Sequence, residues 1–322
     1  MAVSGGSDST AAAILTHKAV TQNILDSYIT VSVDHATRPD SLSEARAAVR
    51  ATKGDVLSLP VTPKTMEHAR MLRYAVLAEY AAKHGLDGII TGHTKDDVAE
   101  SFLLRAGQAS GLDGLASMPP VSPLLALPSD LEDRRFQVGK DTGILLIRPL
   151  LHATRAELED VLVESGVQRG DWVHDPANRD TKYTRVRARM ALSESSHSSS
   201  SSGSSDLIDS LAGVANVLYG VRSDADAAVR QFIDENTTTT VLGGNDNDST
   251  VYLPRDKVLA LPRPLATRVL SSIVQEVGNR TYPPRSQAIS RVLNSSVGSS
   301  STLVRVLVRT NPSTFTISPQ PS

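Results

Sequence analysis

The chain has 322 residues, of which 40% are apolar and 21% charged, and a net charge of −2. That suits one large or two smaller globular domains, gives no overall pull toward nucleic acid or membrane, and confines any basic site to a local patch. There is no cysteine, which excludes disulfides, thiolate metal sites, iron–sulfur ligation and cysteine nucleophiles. No apolar run approaches the ~18 residues of a membrane helix, so no membrane partner is expected. No secretory or organellar presequence is visible, and a cytoplasmic location is expected. An organelle stays open, because the first motif begins at Val3 with little sequence ahead of it.

The elements follow in chain order. VSGGSDST (3–10) is a glycine and hydroxyl loop behind a very short apolar stretch, so either its strand is a stub or upstream sequence is missing. Residues 10–27 read as a helix, 28–35 as a strand that turns abruptly polar, and 41–54 as a helix with Ser41 and Glu44 as a capping box. A strand over 55–61, an amphipathic helix over 65–85, a short buried strand over 87–93 and an acidic-fronted helix over 95–107 come next. Alternation at this spacing predicts a parallel sheet with helices on both faces, whose ligands sit at the carboxyl ends of the strands. SGGSDST, DHATR and GHTKDD all follow strands and therefore face one crevice.

Residues 119–143 read as an irregular insertion, 144–151 as a last apolar strand, 153–166 as a plain helix, and 171–192 as a loop becoming a helix. The expected organisation is a catalytic domain over 1–192, a flexible Ser-rich linker over 193–205, and a smaller, mainly helical domain over 206–322. Within the last, helices are expected over 206–234 and 263–278, a hairpin over 237–254, and one or two strands at the end.

The loop chemistry is specific. Glycines let backbone N–H groups approach phosphate oxygens, and the helix N-terminus behind them adds partial positive charge. The lysine of the common nucleotide loop is absent. Asp8 would repel phosphate unless a divalent cation, Mg2+, bridges the two. The plainer alternative is a Gly-Ser turn capped by Asp8. Asp97 and Glu100 lie three apart on one helix face, where two carboxylates can hold an ammonium or share a cation. Asp96 points elsewhere and is expected to cap the helix. Arg179, Lys182, Arg185, Arg187 and Arg189 form the densest basic run in a near-neutral chain, which suits a phosphate backbone.

The loop resembles the SGGxDS loop of the PP-loop ATP pyrophosphatase superfamily, whose members cleave ATP to AMP and pyrophosphate. VDHATRPDSLSEA (33–45) resembles the DHxLRxxSxxEA segment of tRNA(Ile)-lysidine synthetases. Residues 69–118 are similar to that family almost throughout, by R-x-x-R-Y, GH-x-x-DD-x-AE and R-x-x-x-x-GLxGL. IRPLL (147–151) and DPANRDTKYTRVRAR (175–189) resemble its RPLL and DPSNxDxxxxRNxxR motifs. The motifs keep their order over residues 3–190.

The resemblance implies a PP-loop fold like the adenine nucleotide α-hydrolases. It implies that ATP adenylates the wobble cytidine of tRNA(Ile), and that free lysine displaces AMP to give lysidine. By carry-over, Ser4, Gly5, Gly6, Ser7, Asp8, Ser9, Thr10, His35 and His93 bind ATP, and Asp8 also holds Mg2+. Arg73 serves ATP phosphate or the activated base. Asp97 and Glu100 recognise lysine, and Arg179, Lys182, Arg185, Arg187 and Arg189 contact tRNA. Asp8, Arg73, Asp97 and Glu100 form the catalytic set. One carboxylate could take the amine's proton, and which one is left open. A homodimer also stays open.

The chain departs from the family pattern at Val98 and Ser101 (DDVAES for DDQAET), at Ala177 and at Val186. Only 261–293 of the second domain resembles the family's middle domain, and a further tRNA-binding C-terminal domain has no visible counterpart. Three rivals remain. A tRNA-thiolating relative would commonly need cysteine. An amide-forming synthetase on a small metabolite would not need the basic run. A catalytically weak tRNA-binding relic would not need Asp8, Asp97 and Glu100.

Overall fold

The computed structural model describes residues 1–36, 40–125, 141–168, 172, 182, 184–197, 203–241, 249–278, 283–303 and 305–320. The chain divides into two compact units, one of Met1–Leu124 with Asp141–Gly220, the other of Leu125–Lys140 with Val221–Ser322.

In the first unit β1 (Val31–Asp34) pairs in parallel with β2 (Asp55–Ser58), and β3 (Gly88–Ile90) pairs in parallel with β5 (Asp141–Ile147). Residues 1–3 join these two pairs. Ala2 N donates to Ile90 O (2.9 Å), Val3 N to Val31 O (2.8 Å) and Val31 N to Met1 O (2.9 Å). Ala2 and Val31 thus form a parallel bridge between the two pairs. β4 (Val121–Leu125) adds on the far side of β5. The proline-rich stretch at 119–143, expected to be irregular, therefore contains strand. Pro119 and Pro120 precede β4 and Pro123 lies inside it, on an edge strand where a missing N–H is tolerated.

Helices connect the strands: α1 (Ser7–Thr21), α2 (Ser41–Arg50), α3 (Met66–Lys83), α4 (Lys95–Gly107), the single-turn α5 (Leu112–Leu115) and α6 (Arg155–Glu164). Val31, Ile89, Ile144 and Leu146 pack against Tyr74, Leu77 and Ala81 of α3. On the other side Ala11 of α1 packs with Leu158 and Leu162 of α6. α7 (Thr184–His197) and α8 (Gly203–Asn236) reach into both ends of the Ser-rich segment, and residues 198–202 lie outside the described residues. α8 belongs to the first unit as far as Gly220.

The second unit has a mainly helical region and a C-terminal sheet. β6 (Thr238–Val241) and β7 (Ser249–Pro254) form the expected hairpin. α9 (Arg255–Ala260), α10 (Arg263–Val277) and α11 (Ser286–Leu293) follow, then β8 (Ser300–Leu303), β9 (Val306–Thr310) and β10 (Thr314–Pro319). The five strands make one antiparallel sheet in the order β6-β7-β10-β9-β8. Its core sets Leu253, Val306, Phe315 and Ile317 against Val269, Leu270, Ile273 and Ile289. The sheet is larger than the sequence suggested.

Gly92, just past β3, is where the sheet and the phosphate loop touch. A Cβ there would lie 2.9 Å from Asp8 O and 3.0 Å from Ser9 Cα. Those atoms are backbone and cannot swing aside. Gly92→Ala is expected to cost about 1–3 kcal/mol by overpacking, measured by urea denaturation, and to displace the loop, measured as a weaker ATP affinity.

Candidate active site

The loop is held by its own hydroxyls. Gly5 has φ of 84°, which favours glycine. Ser9 Oγ accepts from Ser4 N (3.1 Å) and donates to Gly6 O (3.0 Å), and Thr10 Oγ1 donates to the same carbonyl (3.0 Å). Ser9 is buried and its hydroxyl is spent inside the loop. Ser4, Gly6, Ser7 and Asp8 are the more open members. α1 begins at Ser7, so its N-terminal N–H groups stand at the loop.

α4 supplies the acids. Thr94 caps it: Asp97 N donates to Thr94 Oγ1 (3.3 Å), and Thr94 N donates to Asp97 Oδ2 (3.0 Å). The capping acid is therefore Asp97, where Asp96 was expected. Asp96 instead accepts Arg155 N (2.8 Å). Its position one residue earlier turns it toward the start of α6.

Three guanidiniums meet these acids. Arg185 Nη2 donates to Asp97 Oδ1 (2.6 Å) and Arg185 Nε to Glu100 Oε2 (2.9 Å). Arg189 Nε donates to Glu100 Oε1 (2.7 Å). Arg155 Nε donates to Asp8 Oδ2 (3.2 Å), and its Nη atoms lie 3.9 Å from Asp96, 3.8 Å from Asp97 and 3.6 Å from Glu100. Glu100 is 1% exposed. Losing one partner from such a buried network costs about 3–5 kcal/mol.

Arg155 was missed, because 153–166 reads as a plain helix. A signal existed: Arg155 is the first residue of α6, where the helix dipole disfavours a cation. A cation in that place needs acids from elsewhere, and it has four. Among the predicted basic residues, Arg185 and Arg189 face the acids, Lys182 and Arg187 are exposed, and Arg179 lies outside the described residues.

Charge balance sets the protonation of the site. Burial pushes the Asp8 carboxyl up, with Arg155 opposing. Burial also acts to raise Asp97, but Arg185, the Thr94 N–H, His93 and Arg155 together hold it below the usual carboxylate range. Burial lowers His93 to about 4; Asp97 opposes this, and Arg148, Arg70 and Arg185 reinforce it. Thr91 Oγ1 and His93 Nδ1 are 2.8 Å apart. His35 follows β1 and is half-buried.

A second cluster lies beside the acids. Arg70 and Arg73 set their guanidiniums 5.2 and 5.3 Å from the Tyr74 ring centroid. Burial lowers the pKa of Arg73, and Tyr74 partly offsets this. A cation–π contact is worth about 0.5–2 kcal/mol, which only partly offsets such desolvation. Arg73 lies in the first turns of α3, at the carboxyl edge of the sheet.

Residues 1–195 match the PP-loop domain family. The tRNA(Ile)-lysidine synthase of Novosphingobium aromaticivorans is 32% identical over 285 residues, which cover 86% of this chain and 76% of that protein. The chain belongs to the tRNA(Ile)-lysidine synthase family of PP-loop proteins. The tRNA(Ile)-lysidine synthases of Ruegeria pomeroyi and Hyphomonas neptunium are 32% and 30% identical, over 91% of this chain in both cases. The chain spans 64% and 72% of their respective lengths. A solved U34-tRNA thiolase from Methanococcus maripaludis matches 68% of this chain and 70% of its own at 17% identity, with a TM-score of 0.49, too low to carry an argument.

Two departures from the family pattern fall in the core. Val98 is 2% exposed and packs with Leu151, Ala212 and Ala215, and Val186 is 8% exposed. Both are buried, where an amide would need a buried partner. Ser101 is half-buried, and Ala177 lies outside the described residues.

The low pKa of His93 makes stability depend on pH. The ordinary histidine value is 6.5 and the folded value about 4. Between these, the unfolded chain binds a proton that the folded chain does not, so stability falls as pH drops through that window. His93→Asn should remove about 3 kcal/mol of that loss, read as the difference between wild-type and variant urea midpoints at pH 7 and pH 4. Equal pH slopes would show that His93 is not buried neutral. Separately, Arg155→Gln should destabilise the fold by about 3–5 kcal/mol in the same titration at pH 7.

Proposed function

We propose that the chain is a lysidine-forming ligase acting on tRNA(Ile) with a cytidine wobble base. ATP adenylates the C2 oxygen of that cytidine and pyrophosphate leaves. The ε-amine of free lysine then attacks C2, the C–O bond to AMP breaks, and the amine's proton passes to a base. The observation that carries this reading is Arg155, which ties Asp8 of the phosphate loop to Asp96, Asp97 and Glu100. The ATP-binding loop and the acid pair thus share one crevice.

The four carboxylates carry one more charge than the three guanidiniums on them. Asp96, Asp97 and Glu100 are balanced by the three guanidiniums, so the surplus charge falls to Asp8. Asp97, held below the usual range, is suited to holding the ammonium and poorly suited to taking its proton. Asp8 fits a Mg2+ ligand. It is a half-buried carboxylate at a phosphate-loop helix start, with Arg155 as its only ion-pair partner among the described residues. Mg2+ is commonly held by one or two carboxylates together with phosphates. When bound it would neutralise charge on the leaving pyrophosphate. Ser4, Gly5, Gly6, Ser7, Ser9, Thr10, His35 and His93 are assigned to shaping or contacting the nucleotide site, and Arg73 to phosphate or the activated base.

Arg185 and Arg189 take on a second role, because they balance the acids as well as lying on the basic helix face. Lys182, Arg187 and Arg179 are assigned to RNA phosphates. The catalytic region is proposed over 1–192 with a linker at 193–205 and a second domain over 206–322. The absence of cysteine disfavours a thiolation enzyme. No helix among the described residues is long and apolar enough to cross a membrane.

The test is pyrophosphate release and nucleoside analysis with a cytidine-wobble tRNA(Ile) transcript, with and without lysine. Lysine-dependent AMP together with a heavier anticodon nucleoside is expected. Asp8→Ala should abolish pyrophosphate release. Asp97→Ala should raise the lysine KM by about 100-fold while ATP still binds. If Asp97→Ala behaves as wild type, the lysine site lies elsewhere. Arg187→Ala should weaken tRNA binding and lower its salt slope by about one.

A further inference from the structure

Among the described residues Arg70, Arg73 and Arg148 have no carboxylate partner. β5 alternates Ile144, Leu146 and Arg148 on its buried face, and the first two pack on Tyr74 of α3. Arg148 continues that face past the strand's carboxyl end. It is 6% exposed. Its Nη1 donates to Pro119 O (2.7 Å) and Ser122 Oγ (3.2 Å), and its Nε has no hydrogen-bond partner.

Topology brings the three together. α3 follows β2 and runs back along the sheet, so its first turns, with Arg70 and Arg73, lie at the carboxyl edge. Thr91 N donates to Ile147 O (2.9 Å), so the segment leading to His93 and Asp97 runs beside the segment leading to Arg148. Asp8 of the phosphate loop feels Arg155 and Asp97, and Arg148 feels Tyr74 and Arg70.

A buried guanidinium fixed by a carbonyl and a hydroxyl, with donors to spare and no counterion among the described residues, suits an anion that arrives with the substrate. Arg148 is too deep for the backbone of a nucleic acid, and the triphosphate belongs to the loop. We propose that Arg148, with Arg70 beside Tyr74, forms a carboxylate subsite that takes the α-carboxylate of the amino-acid nucleophile. This rests on the ligase reading above. It gives the crevice two poles, acids for the ammonium and arginines for the carboxylate, so that a free amino acid is selected over a simple amine.

The experiment compares L-lysine with cadaverine, which is lysine without its carboxylate, in the tRNA assay. Wild type is expected to prefer lysine in kcat/KM by about 100-fold. Arg148→Gln should reduce that preference to below about tenfold through the lysine KM. Arg70→Gln, on an exposed part of α3, should also lower the preference and serves if the Arg148 variant does not fold. Equal use of both amines by wild type overturns the subsite. So does a preference retained in the folded variants, or a change confined to the KM for ATP or the affinity for tRNA. Pyrophosphate release by wild type without any lysine product would instead sink the ligase reading, and the subsite with it.

Discussion

Glu100 is a carboxylate with 1% of its surface exposed, and the geometry of the crevice depends on compensating it. Removing an ion from water costs several kcal/mol even after relaxation, and the attraction of its partners repays that only with good geometry. Here the partners come from three directions: Arg155 at the start of α6, and Arg185 and Arg189 one turn apart on α7. None of these helices can shift without leaving a buried charge exposed to nothing. The acid thus fixes α6 and α7 against α4, and Arg155 passes the constraint on to Asp8 in the loop. An apolar cluster of the same volume would stabilise the fold as well or better. What the ionic cluster provides is position, tying the phosphate loop to α4, α6 and α7.

Much of this was legible in the sequence, because loops after parallel strands converge whatever their exact geometry. SGGSDST, the end of β1 and GHTKDD do share one edge of the sheet. The acid spacing also placed Asp97 and Glu100 together, since residues three apart on a helix meet. Less legible was which acid would cap α4. Capping depends on whether Thr94 or a neighbour is the last non-helical residue, and one residue decides it. Arg155 was hidden because its partners are 55 to 147 positions away in sequence. Local pattern shows only that its place on α6 is unfavourable, not what makes it favourable.

The C-terminal sheet was under-read for a different reason. The β6–β7 hairpin was expected, but edge strand β8 is SSTL, a polar stretch in a chain already rich in serine and threonine. Edge strands are commonly polar, which discourages pairing with other chains. That same polarity removes the apolar alternation by which a strand is recognised. The central strands β9 and β10, with Val306, Val308, Phe315 and Ile317 pointing inward, alternate cleanly and were the ones foreseen. The strength of the sequence signal tracked burial on one face.

Charges of opposite sign act on His93. Asp97 would favour its protonated form, yet burial and the charges of Arg148, Arg70 and Arg185 prevail, and the ring is neutral at ordinary pH. A charged imidazole would cancel part of the negative charge at Asp97 and add a fourth cation beside the arginines. A neutral one does neither. The short contact with Thr91 Oγ1 holds the ring in place and leaves its far nitrogen to serve a ligand as donor or acceptor. The charge balance around Asp97 is therefore kept by a residue that is polar but uncharged. Histidine meets that need only because burial and the arginines suppress its protonation.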